Sequence, residues 1–406
     1  MRDEKLCFAQ SVWIGDRSNK PQHSANHARG FPSAIPSNGR GAVWSSNARM
    51  DSATDASKSQ QSHQRIDAGR WECSPGSGGS YGRYVGSAGG RSSQGAPVFN
   101  QKVPPGGYLW WYVDALSDCG QFGITLIAFV GSVFSPYYAW ARNKKSKPND
   151  VDPENYCALN VALYHPTSSR WAMTERGARH VSRGSDFFKV GPSEIQWDGK
   201  VLSFHIDERC APWPHRIRGT VRVHAEQLIT FAAPLDSNCQ HMWGPIAPSA
   251  RVEVQLNQPA QSWSGHGYLD SNEGLEPIDG AFQKWNWSRC RLSNGDTAVL
   301  YDVYSKQGVN KVLALIFSQA GDVKTFEVPS DFAMSPTFWR LNRSMRADGP
   351  SKVLQQLEDT PFYQRALLQT QLMGETAVAF HESLSIPRLV SPIVQAMLPF
   401  RMPRIS

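Results

Sequence analysis

The stretch "SWSGHGYLDSNEG" at residues 262–274 holds the side chains whose types and spacing best suit proton transfer. In an extended strand alternate side chains share a face, which puts Trp263, Gly265, Gly267 and Leu269 on one side. Ser262, Ser264, His266, Tyr268 and Asp270 then fall on the other. A carboxyl group two residues from a phenol is a general acid if that face lines a cavity, and part of an ordinary solvated strand if it faces water. Upstream, "HMWGP" places His241 and Trp243 on one face, with Gly-Pro reading as the end of the strand. His241 is either a satisfied structural histidine or a partner of the acid. Two further runs supply rings. "FQKWNWSRC" sets Trp285 and Trp287 in phase with Arg289 and out of phase with Phe282, and "YLWWYVDAL" sets Trp110 and Tyr112 on the side that leads to Asp114. Such rings form either plain core or the walls of an aromatic channel.

Other chemistries find no support. There is no HExxH, no closely spaced histidine pair, and "DSNEGLEPIDG" lacks the twelve-residue calcium-loop pattern, so no metal is expected. A Walker A loop, a dinucleotide fingerprint and a GxSxG elbow are also missing. Acid–base chemistry without a cofactor remains.

The elements that must position these residues are strands. From about residue 103 to 345 the chain shows thirteen short β-rich pieces separated by Gly, Asn, Asp and Pro, with hairpin links at "SDCGQFG", "QWDGKVLSF" and "SQAGDVKTF". That number exceeds one small barrel and predicts two barrels or sandwiches in tandem, over 101–240 and 241–348. A helical period is read at 351–381, with Thr360 as N-cap, Pro361 at the first helical position, and Phe362, Ala366, Met373 and Ala377 on one face. A second short helix is expected through "IPRLVSPIVQAML". Together they make 349–406 a helical segment that packs on the barrels or lies on a membrane surface. Residues 1–100, rich in Ser and Gly, are expected to be disordered.

Composition narrows the partners. The 406 residues carry a formal net charge of +7, with 19% charged and 11% aromatic residues. No RRM, KH, zinc-finger or basic-region signature accompanies that modest excess, so no nucleic acid is expected. Seven scattered cysteines without a CxxC pair read as thiols in a reducing compartment. The run "FGITLIAFVGSVF" is too short for a transmembrane helix.

Over residues 103–406 the chain resembles the carotenoid 1,2-hydratases of phototrophic bacteria (CrtC, or hydroxyneurosporene synthase), grouped with lipocalin-like proteins of the AttH type. The resemblance is carried by "GGYLWWYVDALSD", "AFVGSVFSPYYAWAR", "PENYCALNVALY", "RWAMTERG", "HMWGPIAP", "SGHGYLDSNEG", "WNWSR", "EDTPFYQR" and "MLPFRMPR". It implies an all-β fold of two tandem lipocalin-like β-barrels with C-terminal helices. The implied reaction is addition of water to the terminal double bond of an acyclic carotenoid such as neurosporene or lycopene, giving a tertiary alcohol at carbon 1. It implies His241, Trp243, Tyr268 and Asp270 as active-site residues, with Asp270 the proton donor. Trp110, Tyr112, Trp263, Trp285 and Trp287 are the ring residues expected to meet the substrate.

An isolated alkene is a weak base, so Asp270 must hold its proton before reaction. At an ordinary pKa near 3.9 only about one carboxyl in a thousand is protonated at pH 7, a cost of roughly 4 kcal/mol. Burial against rings lowers that cost. The aromatic faces would then stabilise the cation, with His241 either orienting Asp270 or activating water. The substrate points to peripheral association with the membrane of a photosynthetic bacterium, on the cytoplasmic side or at chromatophores, in contact with lipid and other carotenoid-pathway enzymes. Two other readings use the same barrels: a pigment or lipid carrier without turnover, and another terpenoid lyase or isomerase.

Overall fold

Two large antiparallel sheets, packed against each other, make up most of residues 89–144 and 151–406, which are the residues described by the computed structural model. The first sheet takes β1 (Tyr108–Ser117), β2 (Gly123–Val130), β3 (Cys157–Tyr164), β4 (Arg170–Arg176), β5 (Val181–Arg183), β6 (Phe187–Val190), β7 (Ser193–Trp197), β8 (Val201–Arg209), β9 (Arg216–His224), β10 (Ala233–Pro234), β11 (His241–Gln258) and β12 (Ala260–Gly274). The second takes β13 (Phe282–Arg291), β14 (Thr297–Ser305), β15 (Lys311–Phe317) and β16 (Val323–Thr325). A separate hairpin follows, β17 (Ser330–Met334) with β18 (Arg343–Ala347), before β19 (Lys352–Asp359), β20 (Tyr363–Leu372) and β21 (Glu375–Ser385) return to the second sheet. The last strand, β22 (Arg404–Ile405), rejoins the first sheet parallel to β4. Short helices α1 (Pro136–Lys144), α2 (Ile278–Ala281), α3 (Ile386–Leu389) and α4 (Pro392–Met397) fill connections.

The first sheet runs β22, β4, β3, β2, β1, β12, β11, β9, β8, β7, β6, β5. It curls so that β4 approaches β8 and β3 approaches β6, a half-barrel rather than an open plane. The second runs β16, β15, β14, β13, β21, β20, β19 and does not close, because β16 and β19 do not pair with each other. Two tandem barrels or sandwiches were expected from the strand count, and two lipocalin-like barrels from the resemblance; one curled sheet and one open one are observed. The sheets also divide between residues 274 and 282, not at 240/241.

Alternation explains the burial. β1, β2 and β3 are buried along nearly their whole length, because each face meets a different core. Leu109, Trp111 and Val113 point into the curl of the first sheet with Leu126, Val161 and Val252. Tyr108, Trp110 and Tyr112 point the other way, against Trp285, Trp287 and Tyr301 of the second sheet. By contrast β8, "VLSFHIDER", buries every second residue and wets the rest. Strands wrapped on both sides therefore read as unbroken apolar text.

Three expectations need correction. The helix over 351–381 is instead the meander β19–β20–β21: Leu368, Thr370 and Leu372 are buried while Gln369 and Gln371 are exposed, a period of two. Thr360 and Pro361 form the turn between β19 and β20, and Met373-Gly374 form a two-residue hairpin with φ of 56° and 79°, the positive pair of a type I′ turn. The second helix, through 386–397, is present in two short pieces. Next, the end of the 1–100 segment is ordered: Phe99 is fully buried against Trp111 at 4.7 Å, and the Arg91 guanidinium donates to the carbonyls of Pro245 and Ile229. The remainder of that segment lies outside the described residues. Finally, Cys157, Cys210 and Cys290 are free thiols, but Cys239 is disulfide-bonded. Among the described residues no helix is long and apolar enough to cross a membrane.

Candidate active site

Strand register brings the site together. Asp270 of β12 stands opposite Tyr112 of β1 on one side and Pro245 of β11 on the other, and Tyr112 in turn stands opposite Ile127 of β2. β11 does not end at Gly-Pro but continues through irregularities between Pro245, Ala247 and Ala250. The missing proline donor is absorbed at a bulge, where the ladder is already broken. Gly244 leaves room there, since a Cβ would lie 2.4 Å from the Arg91 guanidinium that crosses it and would push that side chain aside.

Asp270 is 3% exposed and fully engaged. The Trp243 indole N–H donates to Oδ2 at 2.8 Å, the Tyr268 hydroxyl donates to the same oxygen at 3.0 Å, and the Asn272 amide donates to Oδ1 at 3.1 Å. Among the described residues no cation is in ion-pair contact with it. Burial pushes its pKa up to about 8; the Trp243 and Tyr268 hydrogen bonds oppose this, and the Glu382 and Asp114 carboxylates add to it. At pH 7 roughly nine in ten such groups hold their proton. With carboxyl-labelled aspartate, the Asp270 resonance should titrate near 8. In Trp243→Phe it should move upward, because the lost N–H favours the charged form; a midpoint near 4 in the parent contradicts this geometry.

The second sheet covers the acid. Trp285, Trp287 and Tyr301 come from β13 and β14; Trp287 packs at 5.3 Å from Tyr268 and 5.6 Å from Tyr112. Behind the rings a buried polar seam joins the sheets. The Tyr112 hydroxyl bridges Glu382 at 2.6 Å and Asp114 at 3.0 Å, Arg289 donates to Asp114, and Arg365 donates to Glu382.

A cavity of about 620 Å³ lies over this floor. Of the residues expected from sequence, Asp270, Trp243, Trp110, Tyr112, Trp285 and Trp287 line it, and Tyr268 stands behind Asp270. Two do not join them. Trp263 lies on the opposite face of β12, in the core of the curled sheet and stacked on Phe122, because it is seven residues from Asp270 and so out of phase. His241 is turned away from the acid: Tyr108 Oη lies 2.8 Å from its Nδ1 and Glu276 lies 3.5 Å from its Nε2. Gly274 makes room for that pair, since a Cβ would sit 2.7 Å from His241 Nδ1. Trp243 offers its N–H to Asp270 and turns its ring edge-on to Tyr301 at 5.6 Å.

Sequence reading missed Asn272, Tyr301, Glu382 and Arg365. Asn272 was within reach, since Tyr268, Asp270 and Asn272 continue one alternation. Glu382 and Arg365 were hidden by reading their strands as helix.

Comparison with known proteins gives the family and the fold. The family model described as "Carotenoid hydratase CrtC" matches residues 126–406. An acyclic carotenoid 1,2-hydratase of Thiocapsa roseopersicina is 44% identical over 409 residues, covering 100% of both chains. Another from Rubrivivax gelatinosus is 51% identical over 312 residues, 76% of each chain. A crystal structure from Nitrosomonas europaea described as AttH superposes with a TM-score of 0.50 at 14% identity, covering 68% of this chain and 92% of that one, a likeness of fold.

Proposed function

The chain belongs to the CrtC family of carotenoid hydratases, and from that premise we propose that Asp270 is the acid that starts the reaction. The protein is an enzyme that hydrates a carotenoid double bond. The observation that carries the residue assignment is a buried carboxyl, free of any ion-pair partner among the described residues, opening onto a ring-lined cavity, where burial favours its protonated form.

Two donors occupy Asp270 Oδ2, so the carboxylic proton belongs on Oδ1, the oxygen beside Asn272. Transfer of that proton to carbon 2 of the terminal alkene leaves a tertiary cation at carbon 1. The carboxylate so formed keeps its hydrogen bonds from Trp243 and Tyr268, which matter more once the charge is present. The faces of Trp285 and Trp287 supply cation–π attraction of roughly 0.5–2 kcal/mol each and do not take up protons at neutral pH. Water then bonds to carbon 1 and its surplus proton returns to Asp270. Alkene and water are consumed, one alcohol forms, and the acid is regenerated. His241 acts at a distance, fixing Tyr108 beside Trp110, with which Tyr108 stacks at 4.9 Å.

Purified protein incubated with neurosporene or lycopene in isotopically labelled water should give a tertiary alcohol with the label at carbon 1. Unlabelled product, or product only after a redox cofactor is added, sinks the reading. Because the acid form is required, kcat/KM should be flat below pH 8 and fall about tenfold per unit above it. A rate that rises through pH 8 would mean that Asp270 serves as a base. A lipid-dissolved substrate also favours peripheral membrane contact and hand-over among pathway enzymes, in a photosynthetic organism like those of its relatives.

A further inference from the structure

The C-terminal helices are apolar on both sides. Leu389, Val394 and Leu398 are buried in the core between the sheets. Val390, Ile393, Met397 and Phe400 recur three and four residues apart on the outer side, and Ile393 and Phe400 are each 74% exposed. A helix apolar all round expects apolar surroundings on both faces.

Two neighbouring loops extend this surface. Phe338, 87% exposed, packs edge-on against Trp339. Their turn is built rather than loose: the Arg388 guanidinium donates to the carbonyls of Trp339, Arg340 and Pro361, and Asp359 accepts the Phe338 N–H at 2.8 Å. Trp213, 74% exposed, stands on the loop between β8 and β9. Trp213, Trp339 and Met397 are exposed and also line the cavity, so the apolar patch is the rim of its mouth. Scattered exposed hydrophobics are ordinary; a cluster around an opening is not. Cations accompany it: Arg340 and Arg401 are exposed, and Arg401 lies 5.1 Å from the Trp171 ring.

We propose that this rim seats the cavity mouth on an anionic lipid bilayer, with Phe338, Ile393 and Phe400 inserted among the acyl chains and the arginines at the headgroups. The aromatic and arginine composition is that of membrane-interface elements. Resting on the proposed function, the surface then passes a carotenoid from lipid to Asp270 without exposing it to water.

The test is flotation of the full chain with vesicles of phosphatidylglycerol and phosphatidylcholine, comparing the parent with F338S/I393S/F400S, three residues that do not line the cavity. The parent should float and the triple variant should lose binding at least about tenfold, while F338L/I393L/F400L should retain it. Hydration of vesicle-embedded neurosporene should fall with binding, and hydration in detergent should stay within about twofold. Equal flotation of parent and serine variant, or flotation of neither, overturns the proposal. So does a parent dimer that the serine variant loses while neither binds vesicles, because the face then belongs to a second copy. Product from detergent without flotation leaves the hydratase standing and removes the surface. Flotation without product from either source does the reverse.

Discussion

Asp270→Asn should lower hydration of neurosporene at least a hundredfold while pigment binding changes by no more than about twofold, since general acid catalysis typically contributes 10²–10⁴-fold. Asparagine keeps the shape and an oxygen to accept the Trp243 and Tyr268 hydrogen bonds, but has no transferable proton. The same substitution should stabilise the fold. The native pKa is raised from 3.8 to about 8, so between those values the folded state binds more protons than the unfolded one. The stability linked to this group is fully present below pH 4 and is lost as pH rises through 8. At pH 7 the loss is on the order of 4 kcal/mol, and an amide escapes it. Urea unfolding at several pH values should show the variant pulling ahead of the parent by about 1.4 kcal/mol per unit between roughly pH 5 and 7. Activity within tenfold of the parent, or a stability gap that ignores pH, contradicts the assignment.

Arg289→Met should lower unfolding free energy by about 3–5 kcal/mol, because it strands the Asp114 carboxylate in a dry interface. Both groups are buried, one on each sheet. Burial works against the Arg289 charge, but Asp114 and the phenols of Tyr112 and Tyr268 outweigh it and hold the guanidinium above its ordinary range. Asp114→Asn combined with Arg289→Met should recover more than half of the loss. A cost below about 1 kcal/mol for the single change would mean that the pair is open to water.

Local alternation made much of this molecule legible. Parity placed Tyr268 with Asp270 on one strand face and Trp285 with Trp287 on another, and the turns at "DCGQ" and "WDGK" predicted the β1–β2 and β7–β8 hairpins, but alternation alone did not show that the two faces meet across the sheets. What escaped depended on contacts distant in the chain. His241 and Trp243 share a face, yet only their partners, Tyr108 for one and Asp270 for the other, separate their roles. The 363–385 strands were misread because Thr360-Pro361 begins a turn as readily as a helix, and because alanines suit either period. Trp263 was favoured for its ring, although its odd position already set it on the other face. The second barrel was inferred from strand number, which does not reveal whether edges meet.

The sheet that carries Asp270 also supplies every hydrogen-bond donor the carboxyl uses, whereas much of its dryness comes from the partner sheet, through Trp285, Trp287 and Tyr301. A polypeptide stopping before Phe282 would thus keep the acid with its whole retinue of donors and still behave like any solvated aspartate. The raised pKa of Asp270 is therefore a property of the two sheets together and not of the strand that carries it.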